Sequence, residues 1–229
     1  MHEHTLFPPK ILNLRLRTGI EQFFEDYSHY CRRQGWPTKK PSLVDELKLH
    51  FRHPQFEVRV QKFYPDGAAH VLQYYVKGVP GVQKVTEATI EEIEQGKGTM
   101  VMVDKHSFRI ELPREYPNLL SKIRVFNESE MFHPRFGKTV QTEVCIAVNG
   151  EIDRILLDLV FQILQDPERV RPPSMYDDGD FGVNYSAMLW YQKRGPKEIH
   201  QILFQKFVEQ WGKQPEPKKP KKGGLQILD

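Results

Sequence analysis

The chain has 229 residues, and 33 lysines and arginines against 30 aspartates and glutamates give it a formal net charge of +3 at pH 7. With 39% hydrophobic and 28% charged residues, the composition supports a packed core and argues against general disorder. So small a positive charge argues against a protein built around a nucleic-acid backbone, so nucleic acid is not expected as a partner.

Compartment and metal content are predicted from the absence of the usual signals. The apolar runs are too short to cross a bilayer, and no export signal is recognised, so no membrane partner is expected. Cys31 and Cys145 are the two cysteines, and two cannot build a disulfide framework or a four-cysteine zinc site. We therefore expect a cytoplasmic protein without a metal or an organic cofactor.

The N-terminal part is predicted as an extended arm over residues 1–17 followed by a helix over 18–34. Apolar residues recur at helical spacing there, Thr18 is a candidate N-cap, and Gly35 follows the last turn. A second helix is predicted from Ser42 to residue 52, because Ser42 and Asp45 have the spacing of a capping box.

Strands are predicted next. Alternating apolar and polar residues predict strands at 56–60, 71–76, 100–103, 108–112 and around 123–125, with a short helix within 84–95. Helices are then predicted from about Asp153 to Asp166, at 184–192 and at 199–211, and a loop at 168–183. Strands followed by helices indicate an α+β fold with a meander of about four strands.

Four local features occur in a fixed order in the second half of the chain. They are a strand ending in a Pro-x-x-Tyr-Pro turn over residues 108–117, the dipeptide His133–Pro134, Cys145 between Val144 and Ile146, and the stretch ILLDLVFQILQDP over Ile155–Pro167. Each feature alone is weak, and four in this order are more specific.

This series resembles the ubiquitin-conjugating enzyme family, over roughly residues 41–193. The resemblance implies a four-stranded antiparallel meander flanked by helices, with Cys145 as the catalytic nucleophile. It also implies a catalytic domain over 41–211, preceded by an extra N-terminal segment over 1–40. The change to Pro and Lys after Gly212 predicts a flexible basic tail over 212–229. The implied partners are an activating enzyme, a ubiquitin-like protein and a target protein, and the helix at 42–52, with or without that at 18–34, would dock the activating enzyme.

Several features depart from the family pattern. Arg135 stands where the family has the Asn of a His-Pro-Asn turn, residues 79–107 look like an insertion, and the helix at 18–34 is extra. These departures are similar to those of divergent bacterial conjugating enzymes, some of which act in antiphage defence.

The chemistry suits a cysteine, because a thiolate is both a good nucleophile and a good leaving group for an acyl chain. In the family the turn histidine fixes the cysteine segment, so His133 is expected to be structural. Arg135 and Asn149 are candidates for stabilising the oxyanion. Acidic loop residues are candidates for orienting or deprotonating the incoming amine, namely Asp177, Asp178 and Asp180.

Three other interpretations stay open. Cys145 is compatible with an ordinary buried cysteine, as expected for Cys31. The second is a non-catalytic adaptor of the same fold, which would bind a ubiquitin-like protein without carrying it. Arg135 in place of the family's turn Asn favours this interpretation. A small α+β scaffold that binds nucleic acid through its lysine-rich tail is the third, and the modest net charge argues against it.

Overall fold

A computed structural model describes residues 7–137, 139–144, 151–169 and 184–212, with side chains up to residue 210. Its helices are α1 (Pro9–Arg33), α2 (Ile90–Glu94), α3 (Ile152–Leu164), α4 (Tyr185–Arg194) and α5 (Pro196–Gly212). Its strands are β1 (Ser42–Asp45), β2 (His50–Arg52), β3 (Phe56–Phe63), β4 (Ala69–Thr86), β5 (Thr99–Glu111), β6 (Arg124–Asn127) and β7 (Thr142–Glu143). The predicted α+β class is confirmed.

All seven strands form one antiparallel sheet in which each strand pairs with its neighbour in the chain. The predicted count of four strands is therefore wrong. The additional strands are β1, β2 and β7, and the two segments predicted at 100–103 and 108–112 are one strand, β5. The meander order itself was predicted correctly, because alternation of apolar residues marks each of the longer strands.

The N-terminal helix begins nine residues earlier than predicted, and residues 9–17 are not an extended arm. Pro9 stands at the first helical position, where a missing N–H costs nothing. Thr18 is not the N-cap, since its Oγ1 donates to the carbonyl of Leu14 one turn back, at 3.1 Å. Leu12 and Leu16 extend the buried stripe toward the start, so the helix is stabilised by packing along its whole length.

The predicted helix at 42–52 is wrong, because this segment forms the hairpin of β1 and β2. Asp45 Oδ1 does not cap a helix but accepts from the N–H groups of Leu47 and Lys48, at 3.0 and 3.2 Å, and so closes the turn between the strands. Val44 and Leu47 are exposed whereas Phe51 is buried, so these three apolar residues do not form the buried face that a packed helix would present.

The segment interpreted as an insertion at 79–107 is a long extension of the β4–β5 hairpin. The two strands stay paired out to Thr86 and Thr99, and α2 lies between them at the tip. The tip is held against α4, because Trp190 Nε1 donates to the carbonyl of Lys97 at 2.9 Å and Ser186 Oγ donates to Glu94 Oε1 at 3.2 Å.

The core lies between the inner face of the sheet and the helices. α3 is the central helix of this core, with most of its side chains buried. α1 crosses α3 at Gly19, where a Cβ atom would lie 2.5 Å from Cγ2 of Ile152. Cys31 is buried on the inner stripe of α1, where burial raises the pKa of its thiol. The domain boundaries at 40/41 and 211/212 stay predictions.

No helix among the described residues is both long enough and apolar enough to span a bilayer.

Candidate functional site

Most of the predicted site residues lie outside the described residues: Cys145, Asn149, Asp177, Asp178 and Asp180. The predicted loop at 168–183 is described only to residue 169, and the predicted tail not beyond Gly212. His133 and Arg135 are described. So are the two chain positions that bracket the predicted nucleophile, Val144 before it and Ile152 at the start of α3 after it.

His133 is fully enclosed, with 1% of its surface exposed. Its Nδ1 accepts from the backbone N–H of Arg135 at 3.0 Å, and its Nε2 donates to the carbonyl of Gln162 in α3 at 2.9 Å. The Gln165 amide also contacts Nε2. Burial lowers the pKa of His133 to about 3. Both ring nitrogens are engaged in the neutral form, so the ring fixes the turn to α3 and offers no lone pair to act as a base.

Three further contacts hold the turn that contains His133. Phe136 stacks on the His133 ring at a centroid distance of 3.9 Å and packs edge-on against Phe108 of β5 at 5.6 Å. The carbonyl of Pro134 accepts from the N–H of Asn184, whose side chain caps α4. The turn is therefore attached to the sheet and to α4 as well as to α3. Arg135 is half-buried beside it.

The chain then passes to the edge of the sheet. Gly137 lies so close to Thr142 that a Cβ on it would be 2.2 Å from the threonine Oγ1, so a larger residue does not fit there. The N–H of Val144 donates to the carbonyl of Val125 in β6 at 2.8 Å. Because Val144 immediately precedes Cys145, the predicted nucleophile follows a residue anchored at the sheet edge.

The start of α3, which follows the predicted nucleophile by seven residues, is held in place by Tyr116. The N–H of Ile152, at the start of α3, donates to the Tyr116 hydroxyl at 3.2 Å, and both residues are buried. Burial raises the pKa of the Tyr116 phenol, so the hydroxyl stays neutral. Tyr116 belongs to the Pro-x-x-Tyr-Pro turn, which the sequence analysis recognised as a motif without assigning this contact.

We expect the substitution Tyr116→Phe to destabilise the fold by about 1–3 kcal/mol, because it leaves the buried N–H of Ile152 without an acceptor. Urea unfolding monitored by circular dichroism would measure the change. Tyr185→Phe is the matched control, since Tyr185 is 50% exposed and its substitution is expected to change stability by less than about 0.5 kcal/mol. Equal stabilities of the two variants would contradict the assigned role.

Sequence reasoning missed most of the residues that support this region. Gln162 and Gln165 were not singled out, although both are buried in contact with His133. The signal available was their place on the inner side of a helix that is otherwise apolar. Gly137 carried no signal, because its close approach to Thr142 is set by tertiary structure.

Among the residues that the structure describes, no group of three or more His, Cys, Asp or Glu side chains is placed to hold a metal ion.

Comparison with known proteins does not assign the chain to a family. A scan against family models finds none that matches, and a search of curated proteins finds no significant match.

Proposed function

We propose that the protein is a ubiquitin-conjugating-like transferase whose fold enlarges the four-stranded family meander to seven strands. The observation that carries the proposal is the order of elements around Cys145. A buried histidine turn bonded to α3 comes first, then the edge strand β7, which is followed by Val144 bonded to Val125, and then α3 itself, anchored by Tyr116. The sequence motifs lie in these same segments, and the structure adds the contacts that join them.

The proposed reaction has two steps. In the first, the Cys145 thiolate attacks the thioester that joins the modifier's carboxyl end to the activating enzyme, so that one C–S bond forms and the other breaks. In the second, a neutral amine of the target attacks the Cys145 thioester. A C–N bond forms, the C–S bond breaks, the thiolate leaves, and the amine loses a proton to a base or to water.

A weakly activated thiol suffices for thioester exchange, because an ordinary cysteine with a pKa of about 8.5 is a few per cent ionised at neutral pH. The second step needs donors for the oxyanion and a group that takes the amine proton. We propose Arg135 and Asn149 for the donors and Asp178 and Asp180 for the acidic role. His133 is excluded as the base, since both of its ring nitrogens already have partners.

The docking site for the activating enzyme is reassigned. Residues 42–52 form strands and cannot present a docking helix. We therefore propose the exposed side of α1, where Leu14 is 60% exposed and Arg15 and Gln22 are also exposed. The resemblance to divergent bacterial enzymes extends the proposal to antiphage defence, with a cytoplasmic location.

The test is a loading assay. The full chain is incubated with a ubiquitin-like protein, its activating enzyme and ATP, taken from genes adjacent to its own, and is run on a non-reducing gel. We expect a shifted band that reductant removes and that Cys145→Ala abolishes. Cys31→Ala is the matched control and is expected to retain the band, because Cys31 lies buried on the inner stripe of α1.

The assay also decides the adaptor alternative, which Arg135 in place of the turn asparagine favours. A non-catalytic adaptor would bind the ubiquitin-like protein in a pull-down and give no reductant-sensitive band with partners shown to be active together. A band that persists in Cys145→Ala would assign the acyl chain to another residue and reject the proposal.

A further inference from the structure

A groove of about 520 Å³ lies between the β4–β5 hairpin and the segment that leads from β6 to β7. Ile90 and Ile93 of α2 line one side of it, and Phe132 and Val140 line the other. The hairpin provides one side because β4 and β5 stay paired well beyond the residues of β5 that pair with β6. The groove is therefore a product of the long hairpin.

The groove leaves apolar side chains uncovered. Ile90 is 65% exposed and Val140 is 45% exposed. Among the described residues that line the groove, the charged ones are Lys84 and Glu130, which have opposite signs. Charge therefore selects neither an acidic nor a basic occupant. Exposed apolar side chains gathered in a groove are typical of an interaction site, so we expect the occupant to be an apolar segment.

The chain carries such a segment beyond the end of α5. Residues 213–229 consist mainly of lysine, proline, glutamine and glycine, and their aliphatic side chains are Leu225, Ile227 and Leu228. The segment Leu225–Leu228, called the tail segment below, lies outside the described residues. It carries no charged side chain, which fits a groove whose own charges are balanced.

α5 ends beside the strand that leads to the groove. A Cβ atom on Gly78 of β4 would lie 3.9 Å from Oε1 of Gln210, two residues before the end of α5. β4 then reaches the groove at Gln83, five residues and about 17 Å further along the strand.

The length of the intervening chain matches this span. Fifteen residues join Gln210 to Leu225, and fully extended they would cover about 50 Å. As a flexible chain, which the composition predicts, they have a root-mean-square separation of about 20 Å. The tail is therefore long enough to go around intervening side chains, and its average reach is comparable with the distance to the groove.

We propose that the tail segment docks into this groove of its own chain. The proposal goes beyond the proposed function and does not depend on it, since it involves neither Cys145 nor a modifier. A segment tethered by a flexible linker of matching length has an effective concentration of about 1 mM. An intrinsic Kd of about 0.1 mM then keeps the groove about nine-tenths occupied, and burial of a few aliphatic side chains supplies weak affinity of this kind.

Competition on the full chain tests the docking. The probe is fluorescein-labelled Gly-Gly-Leu-Gln-Ile-Leu-Asp, and its binding is followed by fluorescence anisotropy. The tail variant carries Leu225→Ser, Ile227→Ser and Leu228→Ser. We expect the probe to bind the tail variant about tenfold more tightly than the unmodified chain, in which the tethered segment competes for the groove. The control peptide Gly-Gly-Ser-Gln-Ser-Ser-Asp should bind neither protein.

Substitutions in the groove locate the site. In the tail variant, adding Ile90→Ser and Val140→Ser should weaken binding of the probe at least about tenfold, because the exposed apolar lining is lost. Adding Leu47→Ser instead is the matched control, since Leu47 is 87% exposed in the β1–β2 turn and lies outside the groove lining. All three positions are exposed, so circular dichroism and unfolding midpoints should match those of the tail variant.

A second measurement needs no added peptide. Docking of the tail segment would cover α2, so we expect the backbone amides of α2 to exchange with solvent severalfold faster in the tail variant than in the unmodified chain. Amides of the β1–β2 turn should exchange equally in both proteins. Mass spectrometry of deuterated peptides would measure both regions in one experiment.

Three results would overturn the proposal. Equal affinity of the probe for the unmodified chain and the tail variant would show that the tail segment does not compete for the groove. Binding that survives the Ile90 and Val140 substitutions would place the segment elsewhere. Protection of α2 that appears only at high protein concentration, together with dimers in sedimentation velocity, would assign the groove to the tail of a second copy.

Discussion

Acidification from about pH 7 to about pH 4.5 is expected to lower the free energy of unfolding by about 7 kcal/mol, because three histidines are buried in the neutral form. They are His53, His106 and His133, each less than a tenth exposed. Burial lowers the pKa of His53 and His106 to about 4 and that of His133 to about 3. A loss of this size is comparable with the whole stability of many domains.

Burial is the main reason why none of the three rings accepts a second proton easily, and the surroundings of the unprotonated nitrogen add to it. In His53 and His133, Nδ1 accepts a backbone N–H, so protonation there would set two N–H groups against each other. In His106, Nε2 donates to the carbonyl of Val79 at 2.7 Å, and Nδ1 is buried without an acceptor among the described residues. A proton on that nitrogen would be a buried, unpaired charge.

The direction of the effect follows from the lowered pKa values. An unfolded histidine titrates near pH 6.5, so the stabilisation is complete above that pH and is lost as pH falls toward the folded values near 4 and 3. Two pH units at about 1.4 kcal/mol each give about 2 to 3 kcal/mol per histidine at pH 4.5. Protonation of carboxylates adds to the loss and must be separated from it.

Urea unfolding at several pH values between about 7.5 and 4.5 would measure this dependence. The variant His106→Gln removes one titrating ring, so its stability should fall by about 2 to 3 kcal/mol less over the same range. His29→Gln is the matched control, because it makes the same change at an exposed position on α1. An unchanged slope in His106→Gln would show that this histidine does not titrate on unfolding.

The regular part of the fold was predictable because its patterns are local. The alternation of Phe56, Val58 and Val60 matches the buried positions of β3, and the apolar face read along residues 155–164 is the buried face of α3. In both cases one face of an element packs against the core, so the period of the sequence reports the secondary structure directly.

The β1–β2 hairpin was missed for a physical reason. Ser42 and Asp45 have the spacing of a helix cap, and the same short polar side chains also close turns. Pairing with β3 decides between these outcomes: Phe51 lies opposite Val58, and Arg52 lies opposite Glu57. That pairing is not local, so a window of neighbouring residues could not reveal it.

The candidate site was predictable as a series of motifs and not as a set of contacts. The sequence identified the His133 turn, and the structure adds the carbonyl of Gln162 as its partner 29 residues away. Tyr116 is bonded to a residue 36 positions later. Such pairs join distant parts of the chain, so spacing cannot predict them. The nucleophile role of Cys145 stays a prediction.

The substitution Gly19→Leu is expected to destabilise the protein by about 3 kcal/mol or more, because α1 and α3 touch at this residue. A Cβ on Gly19 would lie 2.5 Å from Cγ2 of Ile152, closer than two carbon atoms can approach. Since Ile152 is fully buried, it cannot turn away into solvent. A leucine therefore forces the helices apart, and the loss of packing exceeds the gain of about 1 kcal/mol in helix propensity.

Two comparisons make this prediction specific. Thr18→Leu introduces the same leucine side chain at the preceding residue, which is exposed. It should change the free energy of unfolding in urea by less than about 0.5 kcal/mol. Combining Gly19→Ala with Ile152→Ala should cost less than the sum of the single changes by about 1 kcal/mol, since alanine lacks the Cγ2 atom that clashes. Additive costs would show that the helices do not meet there. Because α3 begins seven residues after Cys145, moving its first turn should also slow formation of the proposed thioester.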